Sequence, residues 1–477
     1  LLGEAADNGG TELYESGNPD ELSRNLREVF SSIRSGAAAG SAASVISASR
    51  GGEGAVYQAI FWPTQDRGDG TGAKVYWTGE VHSLFVDSTG YLYEDTNRNR
   101  TLDPDADSNP DKKVQLYYDT GASTTKACVD GTVTAGVCEE GTETDLKNVK
   151  YLWSANDWLA KISHSTDYTP FDADDVTSNR GTYIDDQRAR YIFTWSDGDG
   201  DGIVDDGEVL DFIDRSGGTD WDDASLYTAA ERGSVHKDFG DITAAEVNKI
   251  VNWVRGKDQD GMRSRAAKTN LDKDDDTADE DIIWRLGDVI HSTPMAVGRP
   301  AEAYHFLYRD DSYAVFANTY WNRRQVVYFG GNDGMMHAVN GGFYNTDDKK
   351  FYRTSNWDET DLSAAPELGA ELWAYVPYNL LPHLSCLTDS DYDSTNNHKY
   401  YVDLRPRIFD VRIWPHDPDD ADYDSVHPYG WGTILVGGMR LGGATVNASD
   451  LNSLDGGAGE ITDSRQFKSA YFILDIT

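Results

Sequence analysis

Positive charge is what this chain of 477 residues has least of. Its 42 lysines and arginines face 82 aspartates and glutamates, a formal net charge of −40. Such a surface repels phosphate backbones and anionic headgroups, which excludes nucleic acid and acidic lipid as natural partners and favours divalent cations. Cysteine is nearly absent, at 3 residues, too few for a disulfide-built scaffold. No apolar run approaches the ~20 residues that span a bilayer, so no membrane-spanning helix is expected, and no signal peptide is evident. Nucleophile elbow, P-loop and zinc-protease motifs are also missing, and abundant carboxylates do not make a catalytic pair, so the expectation is a non-enzyme.

Hydrophobic residues are well supplied, at 39% with 13 Trp and 27 Tyr, which is enough to build packed cores. The length allows about three domains. The chain opens at Leu1 without a methionine and closes on the strand-like "SAYFILDIT", so it reads as part of a longer polypeptide.

Four segments follow along the chain. In residues 1–50, Asn18, Pro19 and Glu21 start a helix whose face is Leu22, Leu26, Val29, Phe30 and Ile33, and a small-residue linker follows. Residues 51–240 hold strand-like runs such as "AVYQAIFWP", "KVYWTGEVHSLFVD" and "ARYIFTW", with acidic loops between them. Residues 241–283 hold a helix capped by Thr243 and Glu246 and ended by Gly256, then the acidic linker "DKDDDTADED". Residues 284–477 repeat strand–Gly–Gly hairpins, "QVVYFGGNDGMMHAVN" and "GTILVGGMRLGGA", as propeller blades do. Cys128 and Cys138 flank "VDGTVTAGV", a loop suited to closure by a bridge, and Cys386 is left over as a small buried apolar residue.

"SDGDGDGIVDDGE" carries the most specific signal. Asp197, Asp199, Asp201, Ile203, Asp205 and Glu208 stand at positions 1, 3, 5, 7, 9 and 12 of an EF-hand-type calcium loop. Gly202 takes the sharp turn and Val204 is the apolar anchor. Short carboxylates reach inward, Ile203 offers a carbonyl, and Glu208 can close the loop with two oxygens. The flanks are strand-like, so a clamp is expected rather than a sensor that opens. A second frame, Asp95, Asn97, Asn99, Thr101 and Asp103, fits positions 1 to 9, but Arg100 replaces the turn glycine and Ala106 the closing acid. A frame beginning at Asp103 is the alternative. Arg67-Gly68-Asp69 spells the integrin tripeptide, though in a Gly- and Asp-rich chain an exposed turn is the better reading. His291 and His337 have no partners at metal spacing and read as structural histidines.

"LGDVIHSTPMAVGRP", "VVYFGGNDGMMHAVNGG", "ELWAYVP", "KYYVDLRPRIFDV" and "WGTILVGGMRLGGA…SAYFILDIT" together resemble the C-terminal propeller of PilC/PilY-type proteins of the type IV pilus. More loosely, "ELSRNLREVFSSI" and the residues after it resemble the exit from that family's von Willebrand A-like domain. The expected fold is therefore mainly β, with a partial β-propeller preceded by a β-rich calcium-loop module and the terminal helix of a von Willebrand A-like domain. The resemblance implies export through the periplasm to the pilus tip, contact with minor pilins, attachment to a host-cell or abiotic surface, and Ca2+ as the bound ion. The rival expectations are a quinone-dependent dehydrogenase-like propeller enzyme and a passive surface-layer or filament protein.

Overall fold

Aromatic and β-branched runs separated by Gly and Asp turns fold as strands, and the computed structural model is 38% strand and 15% helix. It describes residues 54–119, 124–160, 190–195, 204, 208–216, 239, 242–270, 273, 280–360, 362, 365–393, 397–417, 424–447 and 466–477, with the backbone of 39–40. The capped helix expected in residues 18–33 lies outside them.

Strands β1 (Gly54–Asp66) and β2 (Lys74–Val86) form a long antiparallel hairpin, in register from Gly54 opposite Val86 to Asp66 opposite Lys74. The sheet continues through β3 (Leu92–Tyr93), β4 (Lys113–Asp119), β5 (Thr124–Val129) and β6 (Thr142–Asp145). β7 (Trp153–Ser154) pairs with His82 and Ser83 of β2 and leads into helix α1 (Ala155–Ala160). Beyond β5, a small hairpin is joined to it by the Cys128–Cys138 disulfide, with Cα atoms 5.3 Å apart. Cys386 is a free thiol and only half-buried.

β2 is buried on both faces, which explains why its sequence does not alternate cleanly. Leu84 packs with Ile60, Val114 and Tyr151 inside the module. On the opposite face, Val81 and Phe85 share a core with Val327, Phe329 and Val339 of a second sheet.

That second sheet has the order β9–β8–β16–β14–β13–β12. Its strands are β8 (Ile192–Trp195), β9 (Val209–Asp211), β12 (Met295–Val297), β13 (Gln325–Gly330), β14 (Met336–Asn345) and β16 (Glu371–Tyr375). β13 and β14 make the hairpin read from "GGNDGMM", with Gly334 at φ +93° in its turn. β15 (Lys350–Tyr352) extends β14. β8 lies parallel to β16, with Ile192 opposite Ala374 and Phe193 opposite Tyr375. The segment 51–240 therefore divides between two sheets, because Ile192 and Leu210 belong to the apolar core of the later strands. A third sheet joins β17 (Arg407–Arg412), β18 (Trp431–Gly438) and β19 (Tyr471–Asp475). The fold is mainly β, and no sheet closes on itself among the described residues.

Helix α2 (Ala244–Arg255) packs against this second core. Thr243 accepts from the Glu246 amide while Glu246 reaches back to the Thr243 amide, and Gly256 at φ +105° ends the helix. Val247, Ile250, Val251 and Val254 are fully buried, each worth about 1.5–3 kcal/mol relative to exposure. After α2, β10 (Ala266–Thr269) and β11 (Glu280–Ile283) pair across the two ends of the acidic stretch. Lys273 of that stretch is not solvated as a linker residue would be. It is buried, its Nζ 2.5 Å from Asp157.

Candidate functional site

The turn from Glu94 to Asp111, between β3 and β4, concentrates acidic groups in a buried place. Asp95 accepts the Asn99 and Arg100 amides at 3.1 Å each, as the first carboxylate of a coiled acidic loop does. Asn97 accepts the Asn99 amide, and Asn99 accepts that of Thr101 at 2.6 Å. The Asn97 and Asn99 Nδ2 groups donate to Asp103 at 3.0 and 2.8 Å. Asp111 closes the turn, accepting the Thr96 and Asp103 amides at 3.0 Å each. Asp95 and Asp111 are 1% and 4% exposed. Burial pushes Asp95 up to about 6 and Asp111 up to about 7, and Asp103 adds repulsion to both.

Arg100, which interrupts the sequence frame at the glycine position, has φ +63° and so adopts the turn that glycine would take. Its side chain does different work. The guanidinium meets Glu359 with two bonds of 2.6 and 2.8 Å, bridging the turn to the propeller strands. The Leu102 amide donates to Lys349, the Phe351 amide donates to Arg100, and Thr101 forms a β-bridge with Lys350. The turn is thus an added rung on the β14–β15 hairpin.

The module meets the propeller strands elsewhere too. Gly79 donates to Leu286 at 3.0 Å, and a Cβ there would lie 2.0 Å from the Gly287 oxygen. The Tyr57 hydroxyl donates to Gln325 at 2.8 Å. Beneath this contact is a buried ion network. Arg190 makes two 2.7 Å bonds to Glu371, and its Nη1 donates to the carbonyls of Val254 and Arg255 at the end of α2. Glu371 also meets His337 at 2.8 Å, and the other ring nitrogen of His337 faces Asp333 at 3.2 Å. Burial opposes charge on His337, but Asp333 and Glu371 outweigh it and lift the imidazole to about 9. Burial likewise opposes charge on Glu371, yet Arg190 and His337 hold it well below the usual carboxylate range.

Asp95, Asn97, Asn99 and Asp103 are brought together, whereas Thr101 contributes mainly backbone. Asp111 completes the group; it falls at position 9 of the frame beginning at Asp103, whereas Asp95, Asn97 and Asn99 belong to the other frame. The oxygen donors suit a hard cation. In the arrangement described, the asparagine amides hold Asp103, and no three His, Cys, Asp or Glu side chains enclose a metal among the described residues. Of the loop at Asp197 to Glu208, Asp197, Asp199, Asp201, Ile203 and Asp205 lie outside the described residues. Glu208 is buried, and Val204 is exposed rather than anchored. Arg67 is tied to Ala266 and Ser264 at 2.7 and 2.6 Å, so its guanidinium is engaged within the fold. His337 is structural, and His291 faces Asp403 at 3.4 Å.

Residues 286–462, which supply β12 to β18 and the Glu371–His337 network, match the PilY1 beta-propeller domain. Over this segment the chain is PilY1-like. A type IV pilus biogenesis factor PilY1 homolog of Xylella fastidiosa is 31% identical over 169 residues, covering 35% of this chain and 10% of that protein. Another from the same organism is 29% identical over 226 residues, 45% of this chain and 12% of that protein. PilY1 of Pseudomonas aeruginosa strain UCBPP-PA14 is 27% identical over 210 residues, 43% of this chain and 13% of that protein. The chain therefore matches a small part of these PilY1 relatives' length. No solved structure matches it. The names of these relatives describe them as type IV pilus biogenesis factors. In the present chain, no described helix is long and apolar enough to cross a membrane.

Proposed function

We propose that this chain is part of a type IV pilus tip adhesin and assembly factor, without enzymatic activity, in which calcium organises the β module against the propeller strands. Tip placement, contact with minor pilins and attachment to a host-cell or abiotic surface belong to this proposal and rest on the PilY1-like segment. The observation that carries the calcium reading is the turn 94–111, whose buried Asp95 accepts the amide of Arg100, the residue that pairs with Glu359 and precedes the Thr101–Lys350 bridge. Asp95, Asp103 and Asp111, with Asn97 and Asn99, would hold the ion, and Asp197 to Glu208 would hold a second. A divalent cation there neutralises acids that burial and mutual repulsion otherwise disfavour. In an adhesin under tension, such a clamp stiffens the joint through which force passes. Extracellular calcium modules of this kind bind at about 10⁻⁴ to 10⁻³ M.

Limited proteolysis with and without calcium tests the reading. Calcium should protect the junction between residues 94 and 111 in the intact chain and fail to do so in D95N/D111N. Equal cleavage in both conditions would remove calcium from the account and leave the pilus role on the family match alone.

A further inference from the structure

The module, the segment after α2 and the propeller strands meet around a narrow cleft. Arg263, Arg265 and Arg285 line it, with Trp253 and Tyr392. In a chain of 82 acids against 42 bases, three arginines at one cleft are an exception to its composition. Two of them are committed. Arg265 pairs with Asp258 at 3.4 Å and donates to the Trp253 carbonyl, while Arg285 donates to the carbonyls of Leu159 and Ala160. The acids at the cleft are committed as well. Asp288 accepts from Asn332 at 2.6 Å and faces His398 at 3.1 Å, and Asp333 serves His337 and the Gly287 amide.

Arg263 is different. Its guanidinium carbon lies 4.1 Å from the Tyr392 ring centre and 4.9 Å from that of Trp253. Its Nε and Nη1 are buried and make no hydrogen bond among the described residues, and no described carboxylate pairs with it. Its backbone is fixed at both ends, the amide donating to Thr388 and the carbonyl accepting the Trp253 indole N–H. Buried N–H donors without acceptors are costly, by about 1–3 kcal/mol each. A guanidinium packed against aromatic rings offers its remaining hydrogens in its own plane, which fits a flat, two-oxygen anion better than a tetrahedral one.

We propose that this cleft is a carboxylate-binding site, in which Arg263 receives the carboxylate of an acidic side chain or a chain terminus while Trp253 and Tyr392 flank it. It lies apart from the calcium-reading turn and does not depend on it.

The probe is sodium acetate, titrated calorimetrically at fixed ionic strength in chloride. Saturable binding is expected in the intact chain, weakened at least tenfold in R263Q and also in R263K, which keeps charge and stem but loses the planar fork. An exposed control, R440Q, should bind as the parent does. An amide-blocked Gly-Asp-Gly peptide and a Gly-Gly-Gly peptide with a free C-terminus then assign the source to side chain or terminus. Absence of saturable binding in the intact chain, or equal binding in folded R263K, would overturn the proposal. Should R263Q not fold, R263K carries the test alone.

Discussion

Arg190 and Glu371, 181 residues apart in sequence, meet as a two-bonded ion pair with both side chains 1% exposed. Through the Arg190 contacts to Val254 and Arg255, the pair joins β8, the end of α2 and β16 in one contact. Replacing only Glu371 leaves Arg190 and His337 charged and buried. E371A should lower the unfolding free energy by about 3–5 kcal/mol, read from urea denaturation. A loss under ~1 kcal/mol would mean that the network is not a structural anchor.

His337 makes the same network pH-sensitive. Its folded value, about 9, exceeds the ordinary imidazole value, so the stability it contributes is fully present below about 6.5 and is lost as pH rises toward 9. Unfolding free energy measured from pH 6.5 to 9 should fall in the parent, and the H337Q variant should flatten that interval.

The acidic turn has the opposite chemistry with a related outcome. Asp95 and Asp111 have folded values raised to about 6 and 7, so the native state holds more protons than the unfolded chain between about pH 4 and 7. Without calcium, the contribution of this turn to stability should decline across that interval. D111N should reduce the decline, and added calcium should stabilise more at pH 7.5 than at pH 5. A calcium effect equal at both values would detach the ion from these two acids.

At Gly79, β2 approaches the segment between β11 and β12 so closely that any side chain meets the Gly287 backbone. G79A should cost about 1–3 kcal/mol and open the module–propeller contact to protease. Unchanged stability and protection would show that the contact gives way easily.

What could be read in advance depended on how local the cause was. The capping box of Thr243 and Glu246, the hairpin at Gly334 and the fit of Asp95 and Asp103 to one frame all lie within a few residues of each other. Asp111 accepts the Thr96 amide 15 residues away, so the group draws on both overlapping frames and no single twelve-residue frame contains it. Arg100 looked like a defect in that frame because an arginine with left-handed φ is rare, while its partner Glu359 is 259 residues distant. The pairing of β8 with β16 was equally hidden, since "YIFTW" carries the same pattern whichever sheet receives it. Arg263 carries no sequence signal, because its meaning comes from the two rings it packs against in the fold.

The most direct measurement is calorimetric titration of the chain with calcium, in the parent, in D197N/E208Q and in D95N/D111N. Saturable binding is expected in the parent, with stoichiometry that falls in each double variant and weaker protection of the module–propeller junction in D95N/D111N. Absence of binding in the parent, or stoichiometry unchanged in both variants, would contradict the calcium reading.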